Sequence, residues 1–99
     1  MTEQPTKEAF AENLRTSFRL HAGGPEPLEI ELVSLTTLPS APRQEQFSLI
    51  FRGPANSPLQ QNIYRLDHDR IGSLEIFLVP IARDKDGVQF EAIFNRIHQ

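Results

Sequence analysis

The chain has 99 residues, 38% of them hydrophobic and 23% charged, which is typical of a soluble globular domain with one core. Its 10 lysines and arginines against 13 acidic residues give a net charge of -3 and form no basic cluster, which argues against a nucleic-acid partner. Because cysteine is absent, disulfides, thiolate metal sites and cysteine nucleophiles are excluded.

The N-terminal residues lack the apolar run of a secretory signal, and no stretch approaches the ~18 apolar residues of a membrane-spanning helix. We therefore expect a cytoplasmic protein with no membrane partner. A single domain is expected over residues 1–99, with residues 1–5 flexible.

The first predicted element is a short helix over residues 6–13. Thr6 suits the N-cap position, and the acidic Glu8 lies in the first turn. Phe10 and Leu14 lie four residues apart and share one face. Because a helix of about two turns is not stable alone in water, we expect it to dock through these two side chains.

Six strands are predicted to follow, because apolar and polar residues then alternate and turn residues separate the runs. They lie around residues 17–21, 28–32, 47–52, 64–66, 72–81 and 88–97. The proline-containing segment 38–43 is predicted to be a loop. The expected fold class is all-β, a six-stranded antiparallel barrel of up-and-down order or a rolled sheet, with one short N-terminal helix. A two-sheet sandwich is the alternative.

Residues 74–81 are unusual because both of their faces are apolar, whereas a half-exposed antiparallel strand alternates apolar with polar side chains. Residues 84–87 are predicted to form a type I turn with Gly87 left-handed in a bulge, which brings even-numbered residues of both flanking strands into the core. The opposite face then carries Phe77, Val79, Ile81 and Ile93.

The predicted helix is the natural candidate to cover this opposite face, but Phe10 and Leu14 give it only two anchors. We therefore expect part of the face to stay exposed, and exposed apolar surface on a soluble protein often marks an interface. The predicted interface, for a protein partner or for self-association, consists of Ile50, Phe77, Val79, Ile81 and Ile93.

No catalytic, cofactor or metal site is predicted. The histidines at positions 21, 68 and 98 lack the helical spacing that places two imidazoles on one metal ion. Asp67, His68 and Asp69 follow the fourth strand and are interpreted as turn residues. Residues 84–87 lack the spacing of a calcium loop.

Four segments, taken together, resemble a family of short, uncharacterised bacterial domains. They are residues 47–54, 64–68, 77–81 with the preceding Gly72, and 90–95. The resemblance covers most of the chain, and its motifs are strand cores and turns. It implies no known activity, cofactor or catalytic residue. Members of the family look like companions of phage-tail-collar-like proteins, which would imply a role in an assembly.

The predicted function is non-enzymatic protein–protein contact, in a homo-oligomer or in a larger, phage-tail-like assembly. The alternative is a small ligand-binding or hydrolytic barrel that uses Arg52, Tyr64 and His68 at one rim. A polar-lined cavity of roughly 300 Å³ near His68 would favour this alternative.

Overall fold

The computed structural model describes residues 5–39 and 41–97, and side chains as far as residue 95. Within these ranges one short helix and six antiparallel strands form a single sheet, which confirms the all-β prediction. The elements are α1 (Lys7–Glu12), β1 (Ser17–His21), β2 (Leu28–Leu38), β3 (Gln44–Gly53), β4 (Asn62–His68), β5 (Gly72–Asp84) and β6 (Gly87–Ile97). The predicted flexibility of residues 1–5 concerns, apart from Pro5, residues outside the described ranges.

The sheet is rolled so that its first and last strands meet. The strand order is β1-β2-β3-β6-β5-β4, and β4 pairs in turn with β1. Each strand in the described ranges therefore has two hydrogen-bonded neighbours. The arrangement is barrel-like and is not the two-sheet sandwich that was the alternative.

The predicted up-and-down order is wrong at one connection, because β4 does not lie beside β3. The second edge of β3 is occupied by β6 over ten residue pairs, from Gln44 with Ile97 to Gly53 with Val88. The chain instead continues through residues 54–61 to the strand position beside β1. Alternation of apolar residues predicts which side chains point inward, but it does not specify which strand lies alongside.

The interior of the rolled sheet is filled by alternate side chains of all six strands. Burying a leucine, isoleucine or phenylalanine side chain stabilises a fold by about 1.5–3 kcal/mol relative to leaving it in water. The fully buried residues of the strands include Phe18, Leu20, Ile30, Leu32, Phe47, Leu49, Phe51, Leu66, Leu78, Val88 and Phe90. The predicted inward face of β5 and β6 is confirmed, since it contributes five buried residues and two partly buried ones to the core, namely Ile76, Leu78, Val88, Phe90 and Ala92 with Leu74 and Phe94.

The turn between β5 and β6 differs from the prediction. Asp84 pairs with Gly87, and Asp84 Oδ1 accepts hydrogen bonds from the N–H groups of Asp86 and Gly87. Gly87 is not left-handed. The register shifts between Pro80 and Ala82 instead. A bulge suits that position because proline has no N–H for the ladder. The bulge predicted at Gly87 and the bulge observed at Pro80 to Ala82 each shift the β5–β6 register by one residue. The residues of β5 therefore point to the predicted faces of the sheet.

Helix α1 covers one end of the rolled sheet, not its outer face. Thr6 caps the helix by accepting a hydrogen bond from the N–H of Ala9 at 3.1 Å. Phe10 is fully buried, with its ring centroid 5.4 Å from that of Phe94 and 6.3 Å from that of Phe47. Leu14 follows the helix and is 38% exposed. The interpretation of the helix as a cover for the outer face is therefore wrong.

Replacement of the covering ring tests this role of α1. Phe10→Ala is expected to lower the free energy of unfolding by about 3–4 kcal/mol, because it leaves a cavity against two aromatic rings. Leu14→Ala is the control and should cost about 1 kcal/mol, since Leu14 is 38% exposed and leaves no enclosed cavity. Urea denaturation measures both. Equal losses in the two variants would contradict the assignment.

Candidate functional site

Three exposed apolar side chains form a row across neighbouring strands on the outer surface. Ile63 on β4 pairs with Phe77 on β5. The ladder between β5 and β6 begins with Val79 opposite Glu91, and Ile93 follows Glu91 by two residues on β6 and so shares its outward face. Ile63, Phe77 and Ile93 are 60%, 50% and 62% exposed. We name these three residues the outer apolar row.

The other predicted interface residues lie around this row. Val79 is half-buried and pairs with Glu91, which pairs on its other side with the half-buried Ile50. Ile81 lies at the bulge and is exposed. The row with Ile50, Val79 and Ile81 is called the outer apolar patch below. The structure thus places the predicted interface residues on the outer surface of β3, β5 and β6, while their role as an interface stays a prediction.

Ile63 was missed because the fourth strand was predicted to begin at Tyr64. The alternation of the strand does indicate the orientation of Ile63. Tyr64 and Leu66 point inward, so their neighbour Ile63 must point outward. Its pairing with Phe77 depends on the register between β4 and β5. Sequence pattern alone does not determine that register.

Positively and negatively charged residues lie beside the outer apolar row. Arg65 on β4 pairs with Glu75 on β5, one step along the strands from Ile63 and Phe77. Glu91 lies between Val79 and Ile50, within the outer apolar patch. Covering the remaining exposed surface of each row residue would contribute about 1 kcal/mol. The outer apolar row is therefore flanked by charged residues, as the apolar centres of protein interfaces are.

His68 of the alternative rim site is buried and is the last residue of β4, so Asp67 and His68 belong to the strand and not to the predicted turn, which begins at Asp69. Its Nδ1 accepts hydrogen bonds from the backbone N–H groups of Arg70 and Ile71, at 3.0 and 3.2 Å. Its Nε2 lies 2.8 Å from Thr16 Oγ1. The Thr16 hydroxyl donates its proton to the carbonyl oxygen of Asn13 at 2.6 Å, so it accepts from His68. Both ring nitrogens are engaged, with the proton of the neutral ring on Nε2.

The surroundings of His68 favour that neutral ring. Burial lowers its pKa, the carboxylate of Asp69 raises it, and the guanidinium groups of Arg19 and Arg70 lower it. The net pKa is below the ordinary value of 6.5. Because Nδ1 is an acceptor from two backbone groups, the ring has no free nitrogen with which to take a proton from a substrate.

A second polar group on the outer surface is centred on Asp67. Its Oδ2 accepts from His21 Nε2 and its Oδ1 from the Ser73 hydroxyl, both at 2.6 Å. These are the residue types of a hydrolase triad, but the serine donates to the aspartate and not to the histidine. The contacts therefore hold β1, β4 and β5 together and do not activate a nucleophile.

Hydrogen bonds to the carboxylate of Asp67, first from Ser73 and then from His21, lower its pKa to about 2. Its contribution to stability is therefore present above its ordinary pKa of 3.8 and is lost as the pH falls through about 2.

The structure does not bring together the three residues of the predicted rim site. An open polar depression of about 400 Å³ lies beside His68, between the α1–β1 link and the β4–β5 turn. Tyr64 is four residues along β4, about 13 Å away, and its hydroxyl donates to Gln60 O. Arg52 lies 3.6 Å from Asp84 and lines a different depression.

Two further observations concern metal ions and membranes. No three His, Asp or Glu side chains in the part of the chain that the structure describes are grouped as metal ligands. In the same residues, no helix has the length and apolar character needed to cross a membrane.

The contact between Ser73 and Asp67 can be tested directly. Ser73→Ala is expected to raise the pKa of Asp67 from about 2 toward 3.8, because the largest stabilising contact of the carboxylate is lost. An NMR titration of the Asp67 carboxyl carbon measures the shift. Ser34→Ala on β2 is the control and should leave this pKa unchanged. An unchanged value in Ser73→Ala would show that the hydroxyl does not donate to Asp67.

Comparison with known proteins adds a family but no activity. Residues 5–94 match the model of a family described as a domain of unknown function. This confirms the resemblance to an uncharacterised family, while its bacterial origin and its link to phage-tail-collar-like proteins stay predictions. No curated protein and no solved structure matches the chain.

Proposed function

Since the chain belongs to the family of domains of unknown function DUF6916, we propose for this member a non-enzymatic role in protein–protein contact. The outer apolar patch is the contact surface, and a second copy of this chain is its occupant. The observation that carries the proposal is the outer apolar row, Ile63, Phe77 and Ile93, exposed across three adjacent strands. A cytoplasmic location is part of the proposal.

The closed pairing of the sheet supports side-chain contact as the mode of association. Partners often add a strand to an exposed sheet edge. Here each described strand has a neighbour on both sides over part of its length, although Ser34 to Leu38 of β2 pair with β3 alone. Among the described strands, none has an edge that is free over its whole length. This favours association through the side chains of the outer surface over addition of a strand.

The arrangement of the row supports a second copy as the occupant. Phe77 on β5 pairs with Ile63 on β4, and Ile93 lies on β6, the other neighbour of β5. A two-fold axis parallel to β5 and above Phe77 would bring Ile63 of each copy toward Ile93 of the other. Two-fold interfaces need such self-complementary patches. The Arg65 and Glu75 pair at the border also gives this rim charges of both signs.

Self-association is tested by a charge in the centre of the row. The wild type is expected to be a dimer or larger species in size exclusion with light scattering. Phe77→Glu, Ile63→Glu and Val79→Glu should weaken association at least tenfold, because a carboxylate would be buried without a partner. Leu14→Glu is the matched control, since Leu14 is exposed but lies outside the patch.

The folded state of each variant is verified by circular dichroism and thermal unfolding. A folded wild type that stays monomeric at high concentration would overturn the second copy as occupant. The patch would then be assigned to a different protein, as in a larger phage-tail-like assembly. Equal weakening by Leu14→Glu would overturn the location of the contact.

A small-ligand role is the second candidate, and the depression of about 400 Å³ beside His68 favours it. This volume lies in the range of ligand sites. Tyr64 and Arg52 are not among its lining residues, and His68 has both nitrogens engaged. Small carboxylates and phosphates at millimolar concentration should shift the amide signals of Thr16 and Arg70 if the depression binds them. Unchanged spectra would exclude such ligands.

A further inference from the structure

A series of hydrogen bonds leads from the His68 ring to helix α1. Beyond Thr16, which accepts from His68 and donates to Asn13 O, the side-chain amide of Asn13 donates to Ala9 O at 2.7 Å. Ala9 precedes Phe10, whose ring closes one end of the rolled sheet. The position of this ring is therefore connected to a side chain that can change its charge near neutral pH.

We propose that α1 and residues 13–16, named the cover, separate from the sheet when His68 takes up a second ring proton. The separation uncovers the Phe47 and Phe94 rings at that end. This pH-dependent opening goes beyond the proposed protein contact, because the outer apolar patch lies on a different surface.

The geometry of the His68 ring makes the second proton incompatible with the closed state. Nδ1 now accepts from the N–H groups of Arg70 and Ile71. In the protonated ring both nitrogens carry hydrogen, so three N–H groups would point at one another. The turn must then rearrange, and the ring moves with it while its Nε2–H still donates to Thr16, so the movement is transmitted to the cover.

The charges and rings packed around His68 oppose protonation in the closed state. The ring is 6% exposed and its centroid lies 4.3 Å from that of Phe18. Arg19 of β1 and Arg70 of the turn disfavour a positive ring, whereas Asp69 of the turn favours it. Glu29 of β2 lines the same depression. Burial has the largest effect and lowers the pKa of His68.

The cover can separate while the six strands stay paired. In α1 the buried residue is Phe10 alone, and Lys7 lies 4.0 Å from Glu45 of β3 in a partly exposed ion pair. The six strands pair with one another without the helix, and two backbone hydrogen bonds join the cover to β2, from Arg15 N–H to Leu32 O at 2.8 Å and from Leu32 N–H to Thr16 O at 3.1 Å. Opening breaks these two bonds and leaves the strand ladders in place. Segments with few buried contacts open at lower free energy than the ladders of a sheet.

The sign and size of the pH effect follow from proton linkage. The pKa of His68 is depressed in the closed state, so closure is favoured above the ordinary value of 6.5 and loses stability as the pH falls below it. If the open state has the ordinary pKa, the opening constant rises by up to about tenfold between pH ~7.5 and ~5.5.

Amide hydrogen exchange of the wild-type protein, followed by NMR at these two pH values, tests the proposal. After correction for intrinsic rates, protection of the Asn13, Thr16, Arg70 and Ile71 amides should fall, by up to about tenfold. These amides should also exchange faster than those of the β3–β6 ladder. Their exchange rates should depend less on added urea, because a local opening exposes little surface. The nitrogen shifts of His68 report its protonation in the same samples.

Two variants test whether the pH dependence comes from His68. In His68→Asn the amide oxygen can accept from the same turn, as in common Asx turns, and the pH dependence of the cover amides should vanish. His21→Asn removes a histidine that contacts Asp67 and should retain the wild-type pH dependence.

Three results would overturn the proposal. In the first, the cover amides have the same protection and urea dependence as the β3–β6 ladder, so the cover opens only in global unfolding. In the second, wild-type protection shows no change between the two pH values. In the third, the pH effect persists in folded His68→Asn. The wild-type measurements decide the matter if that variant does not fold.

Discussion

The closed pairing of the six strands is the constraint from which the other features follow. Once β4 pairs with β1, each strand side chain points either into the rolled sheet or away from it. Apolar side chains that do not point into the interior then have to lie on the outer surface, as those of Phe77 and Ile93 do. The open end also requires a plug, which Phe10 supplies. The patch and the covering helix are thus two consequences of one closure.

The sequence predicts the inward residues well because alternation is a local property of each strand. Phe47, Leu49 and Phe51 are buried as their spacing indicates, and so are Phe90 and Ala92. The faces of β5 were correct for a different reason from the one given. The bulge lies at Pro80 and not at Gly87, and either position produces the same one-residue shift.

What the sequence could not predict depends on contacts between distant segments. β3 pairs with β6, which lies about forty residues later in the chain, and not with β4, the next strand in sequence. The place of Phe10 depends on the rings of Phe47 and Phe94, which form that end only after the sheet has rolled. The bonds of His68 likewise join a turn to a link some fifty residues earlier. Local pattern carries no record of such pairings.

The unequal ladders of the sheet have a consequence for the order in which the molecule is built. Strands β1 to β3 and β4 to β6 are two hairpin-connected triplets, joined by ten residue pairs between β3 and β6 but by three between β1 and β4. The long junction contributes most of the cohesion between the halves. The short one is reinforced by side chains, with Arg19 3.0 Å from Asp69. Thermal fluctuations therefore break the ring first between β1 and β4, and the halves stay joined as an open six-stranded sheet.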